Sequence, residues 1–158
     1  MPTTAPARSS VNITYGHMLI KFAQLSSAVV SKLSSVRAFR QKPEVLVKTV
    51  CELDEQLHTL KSSVQPILTL DTPLDAVGSL PSGITLQQAL YLHFAYYCTI
   101  LDIHTALTLP WSRSILGLTR HHPLADQIKK SAGIVAKTSR IAILATKHVH
   151  IDANTPVS

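Results

Sequence analysis

The stretch SSVRAFRQKPEVLVKTVCELDEQL, at residues 34–57, decides the fold, because it joins the end of one helix to the start of another. Pro43 suits a first helical position, where its missing N–H costs nothing, and Glu44 places negative charge at the positive end of the helix dipole. Apolar residues then recur in alternating steps of four and three, which predicts an amphipathic helix from Pro43 to about Gln65. The stripe is Leu46, Val50, Leu53, Leu57, Leu60 and Val64.

Two other helices are predicted from apolar spacing, one before this stretch and one near the end of the chain. The first runs from about Gly16 to Phe39, with an apolar face of Leu19, Phe22, Ala23, Ser26, Val29, Val30, Leu33 and Val36. The last runs from Pro123 to about His150, and its small inward residues predict close approach to a neighbour. These inward residues are Ile128, Ala132, Val135, Ser139, Ala142, Thr146 and Val149.

The remaining helix begins with a capping box, formed by Thr85 and Gln88, and ends at Leu109 before Pro110. It is apolar around much of its circumference, so we expect it at the centre of the core and as the main route to partners. The candidates for core and interaction residues are Leu53, Leu57, Tyr91, Phe94, Tyr97, Leu101 and His104.

Composition favours an all-α bundle of about four long helices that is part of a larger all-helical regulatory domain. The 158 residues are 46% hydrophobic but only 15% charged, and the formal net charge is +6. A low charged fraction with apolar residues on many faces indicates surface that is covered, by the rest of a larger domain or by a partner. The alternative is a compact domain with a Ser/Thr/Gln surface. The mild positive charge permits attraction to nucleic acid without demonstrating it.

The segments between helices complete the predicted organisation. Residues 1–13 form a disordered tail without the apolar stretch of a secretory signal. Residues 66–85 form a linker rich in proline and glycine. The most apolar run, 89–109, contains His93, Asp102 and His104, which favours a buried helix over a membrane span. We therefore expect a soluble intracellular protein.

Few residues suggest chemistry. Eight histidines are scattered, and His93 and His104 lie about 16 Å apart along one helix face, too far for one metal ion. Cys51 and Cys98 have no second cysteine at metal or redox spacing, so both are expected to be small buried side chains. No nucleophile or catalytic motif stands out. The expectation is a protein that is not an enzyme and binds no zinc.

Charged residues on the helices are expected to face solvent. Asp54, with Glu52 and Glu55, is placed opposite or beside the leucine stripe. A basic stripe on the last helix is predicted on the side away from its apolar positions and is a weak match to a groove-reading helix. It consists of Lys130, Lys137, Arg140 and Lys147.

Three blocks, in order, resemble the middle homology region of fungal binuclear zinc-cluster transcription factors, the fungal-specific or xylanolytic-activator-like regulatory domain. They are residues 31–57, 86–111 and 129–145, within a similarity that spans about 14–156. Thr105 replaces the arginine that usually follows the histidine, Ser131 stands where cysteine is common, and Leu60 lies near an expected tryptophan. The matching residues of the second block are Leu92, His93, Tyr96, Tyr97, Ile100 and His104.

The resemblance implies a nuclear regulatory segment that modulates transcription by RNA polymerase II. In that family a separate six-cysteine zinc cluster binds DNA, and this chain has only two cysteines, so no cofactor and no direct nucleic-acid contact are expected. The expected partners are another protein or a second copy, with room for a small effector and no membrane. The alternatives are a free-standing helical interaction protein that titrates its relatives and a small-molecule-binding helical protein.

Overall fold

The computed structural model describes residues 13–70, 80, 83–109 and 124–149, and these ranges contain helices and no strand. The all-α prediction is therefore confirmed. Residues 1–12 of the predicted tail, most of the linker and the segments 110–123 and 150–158 lie outside the described residues. Ile13, predicted as the last residue of the tail, instead begins the first helix. The helices are α1 (Ile13–Leu33), α2 (Val36–Phe39), α3 (Pro43–Val64), α4 (Leu86–Thr108) and α5 (Ala125–Ala145), followed by a 3₁₀ turn (Thr146–His148).

Helix α3 matches its prediction closely. Pro43 occupies the first turn, and the helix ends at Val64, one residue before the expected boundary. Every residue of the leucine and valine stripe is buried except Leu60, which is half-buried. On the solvent side, Lys48 pairs with Glu52 at 3.8 Å, one turn apart. This agreement follows from signals that are local in sequence, the proline start and an uninterrupted stripe.

Helix α4 begins with the predicted capping box. The Thr85 hydroxyl accepts from the Gln88 amide at 3.2 Å, and the Gln88 side chain accepts from the Thr85 amide at 3.0 Å. The preceding Gly83 has a φ of 82°, a conformation that glycine adopts without strain. The helix packs against α1, α3 and α5, most extensively against α5. Its buried residues cover more than one face, as expected for a central helix.

The first predicted helix is broken, which corrects the expectation of one helix to Phe39. The chain bends at Ser34 and Ser35, and the Ser35 hydroxyl accepts from the Ala38 amide, capping the short α2. Serine competes with a continuing helix in this way because its side chain satisfies the backbone locally. Beyond the break Val36 is exposed, and Val30 and Ala23 are exposed as well, so the inward face is narrower than predicted.

Helix α5 is rotated relative to its predicted orientation. Ala132 and the turn residues Thr146 and Val149 are exposed, and Val135, Ser139 and Ala142 are only partly buried. Of the predicted inward positions, Ile128 is buried and Ala142 packs against the core while partly buried, whereas Ala132, Thr146 and Val149 were predicted wrongly. The buried set is Ile128, Ser131, Thr138 and Ala145.

The ends of the predicted linker belong to the core. Leu68 and Leu70 follow α3 and are buried, and Ile84 before α4 is buried too. These residues add to the apolar cluster shared by α1, α3 and α4. The proline and glycine signals thus mark the end of helix correctly, but they do not mark a departure from the core.

Candidate functional site

A buried polar connection joins α3, α4 and α5 at His104. The imidazole Nδ1 lies 3.1 Å from the Ser131 Oγ on α5, and Nε2 lies 3.4 Å from the Asp54 Oδ1 on α3. The His104 side chain is 1% exposed. Because a buried polar side chain costs free energy unless it is paired, these two contacts fix the register of three helices at one point.

The set Asp54, His104 and Ser131 has the composition of a nucleophilic triad, but its burial indicates a different role. Ser131 is 0% exposed, so no substrate can reach its hydroxyl in this conformation. The hydroxyl also lies six residues into α5, which begins at Ala125, and so beyond the free backbone N–H groups of that helix's first turn that could stabilise an oxyanion. The arrangement therefore acts as a structural connection between helices.

Asp54 corrects the prediction that this carboxylate faces solvent. The hydrogen bond from His104 holds the pKa of Asp54 below its usual range, and nearby His104, His58 and Lys130 act in the same direction, against the opposing effect of burial. His58, one turn along α3, lies 3.9 Å from the same oxygen and is largely exposed. Glu52 and Glu55 are exposed, as predicted.

Acid is expected to remove the stabilisation that ionised Asp54 provides. A carboxyl with a lowered folded pKa contributes stability fully above its unfolded value of about 3.9, and this is lost as the pH falls through the folded value. Asp54→Asn should cost about 1 kcal/mol at pH 7, and the gap from the wild type should close as the pH falls from about 4 through the lowered pKa of Asp54. Urea unfolding of both proteins across this range tests it, and a gap that does not change with pH would contradict the assignment.

Beside this connection, a cavity of about 250 Å³ opens between α3 and α5, with α4 as its floor. Its apolar lining comes from all three helices, and two of the predicted core residues, Leu57 and Tyr97, belong to it. The apolar part consists of Leu57, Tyr96, Tyr97, Ile100, Ile134 and Ile141.

Charged groups line the same cavity. Asp54 and His58 contribute from α3, and Lys130 and Lys137 from α5. Lys130 and Lys137 are exposed, as predicted for the basic stripe, and both also border this cleft. Arg140 remains exposed outside the cavity lining.

Tyr97 connects the cavity floor to the interior of α4. Its hydroxyl lies 3.1 Å from the Nδ1 of His93, one turn earlier, and both side chains are buried. Its ring packs edge-on against Phe94, with centroids 6.4 Å apart, and tilted against Tyr96 at 5.9 Å. A buried tyrosine hydroxyl needs a polar partner, and His93 supplies it within the same helix.

The other candidate residues lie in different environments. Leu53 is buried, and Phe94 and Leu101 are half-buried. Tyr91 is 57% exposed, so it is available for contact and adds little to the core. The structure thus places Leu57 and Tyr97 in one cavity lining, together with Asp54, the hydrogen-bond partner of His104. Tyr91 does not belong to this lining. Asp54, Ser131 and the two lysines were not predicted as site residues.

Both cysteines correct the expectation of burial, because Cys51 and Cys98 are exposed. Although Cys98 is exposed, neighbouring atoms partly shield its sulfur from water, and this desolvation together with the charge of Asp102 raises the pKa of the thiol, so the thiolate is disfavoured at neutral pH. Within the described ranges, no three metal-ligating side chains converge. In the same part of the chain, no helix combines the length and apolarity needed to cross a membrane.

Comparison of the chain with family models, curated proteins and solved structures found no match in any of the three.

Proposed function

We propose that this chain is a regulatory, protein-interacting segment of a fungal zinc-cluster transcription factor, which modulates transcription by RNA polymerase II in the nucleus. The DNA-binding zinc cluster is not within this sequence, which has two cysteines. The segment acts through helix-to-helix contact with its parent protein, a second copy or a co-regulator.

The observation that carries the proposal is the burial of five of the six α4 residues on which the resemblance rests, the sixth, Ile100, being half-buried. Leu92, His93 and Tyr96 are buried on α4, as are Tyr97 and His104, and α4 packs against the three other long helices. Residues that define the core of an all-helical module are those that such a resemblance should share, because they determine how the helices pack.

Exposed apolar residues supply the surface through which the segment would act. Ile143 and Leu144, adjacent on α5, are both largely exposed, as are Val36 and Tyr91. Large apolar side chains that face solvent next to one another are typical of surfaces that a partner covers. Ile143 and Leu144 lie near the end of α5, where a partner can contact them without disturbing the core of the bundle.

A tethering experiment in a fungal host tests the proposal. Fused to an unrelated DNA-binding domain, the chain should change transcription from a reporter that carries that domain's site, and Ile143→Ser with Leu144→Ser should reduce the change. The same chain without the fused domain should leave the reporter unchanged and should bind duplex DNA only weakly, with a steep dependence on salt.

Two outcomes would contradict the proposal. One is equal reporter output from the fused wild-type chain, the fused variant and the DNA-binding domain alone. The other is binding to one preferred duplex sequence at physiological salt. Lys129→Gln is the matched surface control, because it changes an exposed residue on the same helix without touching the apolar pair.

A further inference from the structure

We propose that the cavity between α3 and α5 binds a small amphipathic monoanion, a carboxylic acid with a compact apolar body. The carboxylate lies against Lys137 at the rim, and the apolar part lies against the isoleucines of α4 and α5. This inference concerns a binding site of the chain and does not depend on the proposed role in transcription.

The size of the cavity limits the ligand. Its 250 Å³ corresponds to about eight water molecules at roughly 30 Å³ each. This is below the roughly 300–1,000 Å³ of sites for drug-sized ligands. The ligand is therefore small, comparable to a short-chain or single-ring acid.

The lining favours an apolar body. Ile100 from α4 and Ile134 and Ile141 from α5 present aliphatic surface on two sides, and the Tyr96 and Tyr97 rings add aromatic surface. An apolar group that displaces water from such a lining gains free energy in proportion to the area buried. Polar partners are also present in the lining, from Asp54, His58, Lys130, Lys137 and Thr138. A fully polar molecule such as a sugar would nevertheless place some hydroxyl groups against the aliphatic side chains, where they find no hydrogen-bond partner.

The charges at the rim select a single negative charge. Lys137 forms no ion pair with any residue that the structure describes, whereas Lys130 lies close enough to Asp54 to lower its pKa. One ammonium group is thus available to a ligand. The Asp54 carboxylate in the same lining repels a second negative charge, so a monocarboxylate suits the site better than a phosphate dianion.

The experiment titrates the whole chain with hexanoate, 1-hexanol and hexylamine and follows backbone and isoleucine methyl signals by NMR. We expect saturable shifts at Ile100, Ile134 and Ile141, with affinity decreasing from hexanoate to hexanol to hexylamine. Lys137→Gln should weaken hexanoate binding about fivefold and leave hexanol unchanged. The matched change Lys129→Gln, outside the cavity on the same helix, should leave all three affinities unchanged.

A variant that is expected to strengthen hexanoate binding distinguishes a direct effect of charge on the ligand from a general effect on the fold. Asp54→Asn removes the repelling charge and should tighten hexanoate binding about twofold to threefold, although it lowers stability. A general loosening of the fold would not strengthen binding of the acid alone.

Three results would overturn the proposal. The first is hexylamine binding as tightly as hexanoate, and the second is equal loss of hexanoate affinity in Lys137→Gln and Lys129→Gln. The third is shifts at the three isoleucines that grow with protein concentration in the absence of a probe, which would show that a second copy occupies the cavity.

Discussion

Replacing Tyr97 by alanine is expected to lower the free energy of unfolding by about 3–5 kcal/mol, the usual cost of deleting a buried aromatic ring. Tyr97 is only 3% exposed and contacts Phe94 and Tyr96 on the central helix. Its removal also takes away the hydroxyl that lies within hydrogen-bond distance of His93. Because small domains are stable by about 5–15 kcal/mol in total, a large share of the stability would be lost.

Two further variants show how much of the stability lost in Tyr97→Ala comes from the aromatic ring and how much depends on its buried position. Tyr97→Phe keeps the ring and removes the hydroxyl, which should cost about 1 kcal/mol. Tyr91→Ala makes the same truncation on the same helix at an exposed side chain, and should cost about 0.5 kcal/mol or less. Thermal and urea unfolding of the three variants give the comparison. Equal losses for Tyr91→Ala and Tyr97→Ala would show that α4 is oriented differently in solution.

The cost of truncating another core position on α4, Leu101, is expected to follow its degree of burial. Leu101 was predicted to be as important as Tyr97, but the structure leaves it half-buried. Truncation of Leu101 should therefore cost about 2 kcal/mol, at the lower end of the range for leucine. The periodicity of a helix that is apolar on most sides does not reveal which positions face a neighbour.

Features set by neighbouring residues could be predicted from the sequence. The start of α3 at Pro43, its stripe and the capping box of α4 each depend on residues within a few turns. The orientation of α5 could not be predicted from the sequence, because alanine, serine and threonine occur on several of its faces. Whether Ser131 or Ala132 faces inward is decided by the helix against which α5 packs, and by the hydrogen bond between the Ser131 hydroxyl and the Nδ1 of His104.

The candidate site could be predicted only in part for a related reason. His104 lies 50 residues from Asp54 and 27 from Ser131 along the chain. Local spacing placed Asp54 on the flank of a stripe, where exposure is the usual outcome. It lies instead where α3 faces a buried histidine and a lysine-bearing helix. A pairing of this kind depends on how three helices meet, and no single helix pattern contains that information.

Replacing His104 by alanine should destabilise the protein by about 2–4 kcal/mol, because it both leaves a cavity and removes the partner of two polar groups. Ser131 would be left buried without this hydrogen bond, and Asp54 would lose the contact that contributes most to lowering its pKa. The pKa of Asp54 should therefore rise, and the variant should lose less further stability on acidification than the wild type. Urea unfolding between about pH 3 and pH 7 measures both effects.

His58→Ala is the matched control, since His58 lies near the same Asp54 oxygen but its side chain is 64% exposed. It should change stability by no more than about 0.5 kcal/mol, because exposed ion pairs contribute little. A double-mutant cycle then isolates the buried contact: His104→Ala and Asp54→Ala together should cost less than the sum of the two single changes, by about 1 kcal/mol or more. Strict additivity would mean that the contact between His104 and Asp54, and with it the polar connection between α3 and α4, contributes nothing to stability.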